Sequence, residues 1–148
     1  MRVMGIDLGS KRIGVAVSDA GGVLASPYEV VPRSGDEPRD HRRLLEIAAE
    51  VEAERLVVGL PLSLDGSMGP AATAAVAESE RLGATTDLPV DLYDERFTTV
   101  TADRHLMERN MKADARRRII DKVAAAVMLQ AWLDGQPRSP DHEAPAPF

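Results

Sequence analysis

The chain has 148 residues, a formal net charge of −6 and a sequence pI near 5.1. This length predicts one domain and leaves no room for the two lobes of an actin-like kinase. Aromatic residues make up 3% and cysteine is absent, which disfavours base-stacking modules and excludes disulfides and thiolate metal sites. No segment resembles a signal peptide or a membrane span, so we expect a cytoplasmic protein without a membrane partner.

Three strands are predicted at the start of the chain. Alternating apolar residues indicate strands over residues 2–8, 12–18 and 23–31, and the links between them are short enough to require antiparallel hairpins. Gly9 is expected to supply a positive φ in the first turn.

After the third predicted strand, apolar residues recur at the spacing typical of helices. It predicts helices over residues 38–53, 70–83 and 116–134, separated by strands at 55–60 and 88–93. Asp36 is expected to cap the first helix, and Thr98 or Thr99 a further helix that ends near Glu108. The predicted buried stripe of the last helix is Ile120, Val123, Ala124, Val127 and Ala131.

This order of elements predicts an α/β fold. Hairpin strands followed by alternating helices and strands give a mixed five-stranded sheet, with three antiparallel strands and then two parallel strands, flanked by helices. Residues 1–134 form the predicted domain, and the Pro-rich residues 135–148 a disordered tail. Ligands are expected beyond the carboxyl ends of the parallel strands.

Three acidic residues are expected to meet at that edge of the sheet. Asp7 ends the first strand, Glu95 follows strand 88–93, and Asp121 lies beside the buried stripe of the last helix. Carboxylates without histidine or cysteine favour Mg²⁺ or Mn²⁺ over zinc. With a phosphate substrate, such carboxylates are typical of two-metal phosphodiester hydrolysis.

Each carboxylate also has a simpler interpretation. Asp7 alone is typical of a turn. Glu95 could form a surface ion pair with Arg96, and Asp121 could pair with an arginine at 117–118 along its own helix. The convergence of all three favours the metal-site interpretation.

Four motifs resemble those of the YqgF/RuvX family, in order from residue 3 to about residue 134. The motifs are GIDLGSKRIGVAVSD from Gly5 to Asp19, VGLPL from Val58 to Leu62 with Asp65-Gly66, DERFTT from Asp94 to Thr99, and Asp121 with Ala124-Ala125 and Leu129-Gln130. Lys122 departs from the small residue that the family often carries after the aspartate.

The resemblance implies a ribonuclease H-like fold and an endonuclease that matures the 5′ end of pre-16S rRNA, with resolution of DNA Holliday junctions as the alternative. It also implies that Asp7, Glu95 and Asp121 are the catalytic, metal-binding set. In the expected mechanism, Asp7 bridges two Mg²⁺ or Mn²⁺ ions and the other two carboxylates each hold one.

Four further residues are expected to bind phosphates of the nucleic acid: Lys11, Arg12, Arg96 and Thr98. The segment 96–122 carries eight basic and four acidic residues, which is typical of a local contact with an anionic partner. Structured RNA is the expected partner, and a DNA junction the alternative. A non-catalytic module that binds RNA or the ribosome is a further alternative. The sequence is compatible with a monomer or a homodimer, and with assistance at the site from Asp94 or Asp19.

Overall fold

The structure, a computed structural model, describes residues 1–63, 65–97 and 114–137. A short 3-10 turn follows the fifth strand and ends at Phe97, directly before the undescribed residues 98–113. The elements are β1 (Val3–Leu8), β2 (Arg12–Ser18), β3 (Ala25–Pro32), α1 (Glu37–Glu50), β4 (Arg55–Leu60), α2 (Pro70–Gly83), β5 (Val90–Asp94), the 3-10 turn (Glu95–Phe97) and α3 (Asp114–Asp134).

The five strands form one mixed sheet in the order β3-β2-β1-β4-β5. β1 pairs antiparallel with β2, and β2 with β3, whereas β1–β4 and β4–β5 are parallel pairs. This arrangement confirms the predicted sheet of three antiparallel strands followed by two parallel strands.

The element bounds agree with the sequence predictions to within about three residues. Asp36 caps α1 as expected, since its Oδ1 accepts a hydrogen bond from the Arg39 amide at 3.2 Å. The predicted helix from Thr98 or Thr99 to Glu108 lies outside the described residues, as does most of the predicted tail. The domain boundary after residue 134 therefore stays a prediction.

The first turn corrects the expectation for Gly9. Positive φ values among the described glycines occur at Gly22, Gly35 and Gly66, and not at Gly9. Glycine is needed there for another reason, because a Cβ at Gly9 would collide with the carbonyl oxygen of Arg12. The close approach of the two sides of the turn, and not its φ, excludes a side chain.

One face of the sheet packs against α1 and α2. Its buried side chains come from alternate strand positions, as the period of two in a strand requires. They contact Leu44 and Ile47 of α1 and Leu82 of α2. The strand residues of this face are Met4, Ile6, Ile13, Val15, Val31, Leu56 and Val58.

The opposite face of the sheet packs against α3 and consists of smaller residues. Val3, Ala16 and Val57 belong to the same apolar cluster as α3. At Gly5, an added Cβ would lie only 2.9 Å from the Cβ of Leu129. The small strand residues therefore allow the helix to lie close against the sheet.

The buried side of α3 differs from the predicted stripe. Ile120 and Ala124 are buried as expected and Ala131 is half-buried, but Val123 and Val127 are 43% and 40% exposed, so their prediction was wrong. Apolar residues occur on several sides of this helix, and contact with the small strand residues determines which side is buried. The other buried residues are Ala125, Ala126, Met128, Leu129, Trp132 and Leu133. Within the described segments, no helix has both the length and the apolar character that a membrane span requires.

A buried ionic network, here called the Glu78 network, joins Arg33, His41 and Glu78. Arg33 follows β3 and donates from Nη1 and Nη2 to the two carboxylate oxygens of Glu78 at 2.6 and 2.9 Å. Nε2 of His41 in α1 lies 2.8 Å from Oε2 of Glu78. Burial raises the pKa of Glu78, but the bonds from Arg33 and His41 outweigh it and hold that pKa below the ordinary 4.5.

We expect Glu78→Gln to lower the free energy of unfolding at neutral pH by about 1–3 kcal/mol, because Arg33 loses its charged partner. The native pKa of Glu78 is lowered, so its contribution is present above the unfolded-state pKa and disappears as the pH falls through the native pKa. The variant should therefore lose less stability than the parent on acidification. Urea unfolding at a series of pH values measures this, and parallel stability curves for the two proteins would contradict it.

Candidate active site

Asp7 lies between two glycines on neighbouring strands. It pairs with Gly14 of β2. The preceding residue of β1, Ile6, pairs with Val58 of β4, so Gly59 comes next to Asp7 on its other side. All three positions belong to the face that packs against α3. The two glycines therefore leave room for atoms of other elements on both sides of Asp7, which is only 6% exposed.

The carboxylate of Glu95 occupies the space above Gly59. β5 is parallel to β4, with Tyr93 in register with Gly59, so the residues after β5 emerge at the edge where β1 ends. A Cβ on Gly59 would collide with Oε1 of Glu95. Glu95 is 7% exposed. Two buried carboxylates, one from β1 and one from the turn after β5, thus lie at the same edge of the sheet on either side of β4.

Asp121 lies above Gly14, on the opposite side of Asp7 from Glu95. A Cβ on Gly14 would collide with the backbone oxygen of Asp121, so α3 crosses the sheet at this position. Nε of Arg12 donates to Oδ2 of Asp121 at 2.8 Å, and the two side chains are 17% and 14% exposed. The three predicted acidic residues therefore lie around the row of Gly14, Asp7 and Gly59.

Arg96 has a different partner from the one considered in the sequence analysis. Its guanidinium donates to both oxygens of Asp94 at 2.7–3.1 Å. This pairing lowers the pKa of Asp94 and raises the pKa of Arg96. The buried position of Glu95 disagrees with its interpretation as half of a surface ion pair. A Cβ on Gly66, which has φ +87°, would lie 2.9 Å from Nη1 of Arg96, so the loop after β4 contacts this arginine.

The other residues predicted to act at the site are the phosphate contacts Lys11, Arg12 and Thr98 and the possible helper Asp19. Lys11 is exposed at the turn between β1 and β2, whereas the nearby Arg12 is paired with the carboxylate described above. Asp19 lies at the opposite end of β2 and accepts hydrogen bonds from the amides of Val23 and Leu24, which lower its pKa. Asp19 therefore lies away from the site. Thr98 lies outside the described residues.

The chemistry of the site fits a hard divalent cation. Its three candidate ligands, Asp7, Glu95 and Asp121, offer only carboxylate oxygens, which suit Mg²⁺ or Mn²⁺. Two of them, Asp7 and Glu95, are buried. Arg12 supplies positive charge to the third.

A second group of ligand-type side chains lies on the other side of the sheet. Glu37, His41 and Glu78 place one ligand atom each within 4.8 Å of one another. Both carboxylates already accept bidentate bonds from guanidinium groups, Glu78 from Arg33 and Glu37 from Arg81. This group is therefore an ion-pair network, and a cation there would have to displace two arginines.

Sequence reasoning missed the glycines beside Asp7 and the Glu78 network. The glycines had a usable signal, because Gly14 and Gly59 fall opposite Asp7 once the strand pairing is assumed. The network had none, since Arg33 and Glu78 are 45 residues apart; Arg33 follows the third predicted strand, and Glu78 lies within the second predicted helix.

The fold resembles that of solved structures. A structure described as T. thermophilus RuvC in complex with Holliday junction substrate superimposes with a TM-score of 0.55 at 20% identity, covering 90% of this chain and 93% of that chain. Another structure of the Thermus thermophilus protein gives a TM-score of 0.51 at 18% identity. The fold is therefore that of the ribonuclease H-like class, as predicted.

Sequence comparison defines the family. Residues 1–135 match the model of the RuvX family, described as Holliday junction resolvase. A protein of Rhodococcus opacus (strain B4) named "Putative pre-16S rRNA nuclease" is 49% identical over 142 residues, or 93% of this chain and 80% of that protein. One of the same name from Pelotomaculum thermopropionicum is 42% identical over 97% of this chain and 93% of its own length. This chain belongs to the RuvX family.

The close contact at Gly59 makes a prediction about stability. Gly59→Ala would push its Cβ against the Glu95 carboxylate, and we expect it to lower the free energy of unfolding by about 1–3 kcal/mol. Gly83→Ala is the control, because the nearest atom to its Cβ would be 3.7 Å away and the change should be neutral or stabilising by up to about 1 kcal/mol. Denaturant unfolding compares them, and equal effects would contradict the packing of Glu95 on Gly59.

Proposed function

We propose that this protein is a metal-dependent endonuclease that hydrolyses phosphodiester bonds in structured RNA, and that its substrate is the 5′ end of pre-16S rRNA in the cytoplasm. The observation that carries the proposal is the position of Asp7 between two glycines, with Glu95 and Asp121 on either side. The shared name of the relatives supports the RNA substrate.

Three residues would hold the metal ions: Asp7, Glu95 and Asp121. When bound, Mg²⁺ or Mn²⁺ would lower the pKa of a water nucleophile and stabilise the charge that develops on the leaving oxygen. The buried sheet edge around Asp7 and Glu95 excludes bulk water, which strengthens electrostatic interactions at the reacting phosphate. The fixed register of β1, β4 and β5 positions Asp7 and the start of the 3-10 turn that carries Glu95 before substrate binds.

Basic residues around the site would bind the phosphates that flank the cleaved bond. Lys11 is exposed in the turn after β1 and is suited to contact a phosphate directly. Arg96 is exposed and already oriented by Asp94, so its outward edge can bind a second phosphate. Arg12 is engaged with Asp121 through Nε, so a phosphate contact from Arg12 would use its Nη donors. Thr98 is a further proposed contact.

Resolution of DNA four-way junctions is the second candidate function. The description of the RuvX family as Holliday junction resolvase favours it. Symmetric cleavage of a junction requires two sites and therefore a dimer, whereas trimming of an rRNA end is possible for a monomer. Oligomeric state and substrate preference together separate the two.

The assignment of Asp7 predicts the effect of an isosteric change. Asp7→Asn removes the charge from the centre of the site but keeps its shape, and we expect cleavage to fall on the order of 10³-fold or more. Asp87→Asn, on the exposed link between α2 and β5, is the control and should cleave like the parent. Circular dichroism and thermal unfolding verify that both variants are folded. An Asp7→Asn protein that cuts at the parental rate would exclude this catalytic set.

The substrate is tested by comparing cleavage of two nucleic acids. We expect the purified protein to cleave an RNA that carries the 16S 5′ leader in Mg²⁺ or Mn²⁺, and to lose this activity in chelator. A mobile DNA four-way junction of similar length serves as the comparison. Cleavage of the junction alone would favour resolution, whereas tight binding of RNA without cleavage in either metal would indicate a non-catalytic binding module.

A further inference from the structure

Arg33 contacts the turn that follows Asp7 with both its backbone and its side chain. Its amide donates to the carbonyl of Lys11 at 2.9 Å, and its Nε donates to the carbonyl of Gly9 at 2.9 Å. Two carbonyls of the turn between β1 and β2 are therefore bound by one residue from the end of β3.

The other side of the same guanidinium is fixed to the helical layer. Nη1 and Nη2 bind both carboxylate oxygens of Glu78 at 2.6 and 2.9 Å, and His41 holds the same carboxylate from α1. Glu78 and His41 are buried. Because the guanidinium is planar and its donors have a fixed geometry, fixing two of them on Glu78 also fixes the direction of Nε toward Gly9.

The turn that Arg33 holds lies directly beside the proposed site. The Gly9 amide donates to the carbonyl of Asp7 at 3.1 Å, so a movement of Gly9 is passed to the end of β1. Lys11, a proposed phosphate contact, is bound by the Arg33 amide. The two sides of the turn approach closely, since a Cβ at Gly9 would collide with the carbonyl of Arg12.

We propose that Arg33 is a positioning residue for the nuclease reaction: anchored by Glu78 and His41, it holds the Gly9–Lys11 turn and thereby keeps Asp7 aligned with the scissile phosphate. This inference rests on the proposed function. It differs from a role in fold stability alone, because the bond to Gly9 joins the helical layer to the site and is dispensable for the ion pair itself.

The same helical interface provides a matched control. Arg81 of α2 forms a bidentate pair with Glu37 of α1, with contacts of 2.5 and 3.0 Å. Arg33→Lys and Arg81→Lys each keep a positive charge and each lose a bidentate geometry. In the parent, Arg33 also donates to Gly9, and a compact ammonium group does not reproduce the planar spacing of donors that binds Gly9 and both oxygens of Glu78.

Amide hydrogen exchange and steady-state kinetics test the proposal on the full chain. In Arg33→Lys we expect exchange at residues 9–12 to accelerate on the order of tenfold relative to the parent, and kcat on the leader RNA to fall on the order of 10- to 100-fold with little change in KM. Arg81→Lys should leave both unchanged. Equal exchange at this turn in the two variants would overturn the proposal, as would unchanged kcat in an Arg33→Lys protein whose turn exchanges faster.

Two further measurements cover the cases in which Arg33→Lys does not fold or the parent protein has no nuclease activity. If Arg33→Lys does not fold, Glu78→Gln replaces it, because this change releases one anchor of Arg33 while keeping the guanidinium, and faster exchange at residues 9–12 is again the expected result. If the parent protein cleaves no nucleic acid, the proposed function fails by itself. The exchange arm then decides alone whether Arg33 holds the turn.

Discussion

The close approach of α3 to the sheet is the constraint on which the site depends. Gly5 and Gly14 lie beneath this helix, and a Cβ on either would contact its atoms at less than 3.0 Å. Because these strand positions have no side chains, the helix backbone reaches β2 and brings Asp121 to the row that contains Asp7. Larger residues would lift the helix and separate the acidic residues.

The fold was largely predictable because its signals are local. Hairpins, alternating strands and helical spacing each depend on a few consecutive residues, and the resulting strand order leaves few possible topologies. Asp7 and Glu95 could also be selected from their places at the ends of strands, and Asp121 from its place beside the buried stripe of its helix. The buried side of α3 could not, because Val123 and Val127 have the same apolar character as their buried neighbours, and only contact with the sheet distinguishes them.

The contacts that orient the site depend on pairs of distant residues. Arg12 and Asp121 are 109 positions apart, and nothing in the sequence near either one indicates the other. The arginine was predicted to bind phosphate, and in the structure it balances a carboxylate of the proposed metal site. Both roles follow from the same charge, and only the folded geometry shows which partner is within reach.

The long separation of that pair has a consequence for the order of folding. Contacts between distant positions must overcome a large loss of chain entropy, and they form late unless other contacts bring the ends together. During synthesis, the strands of the sheet leave the ribosome well before α3. A nascent chain can therefore assemble its hairpins and the helical layer on one face while the opposite face is bare, and the acidic centre becomes complete only when the final helix docks.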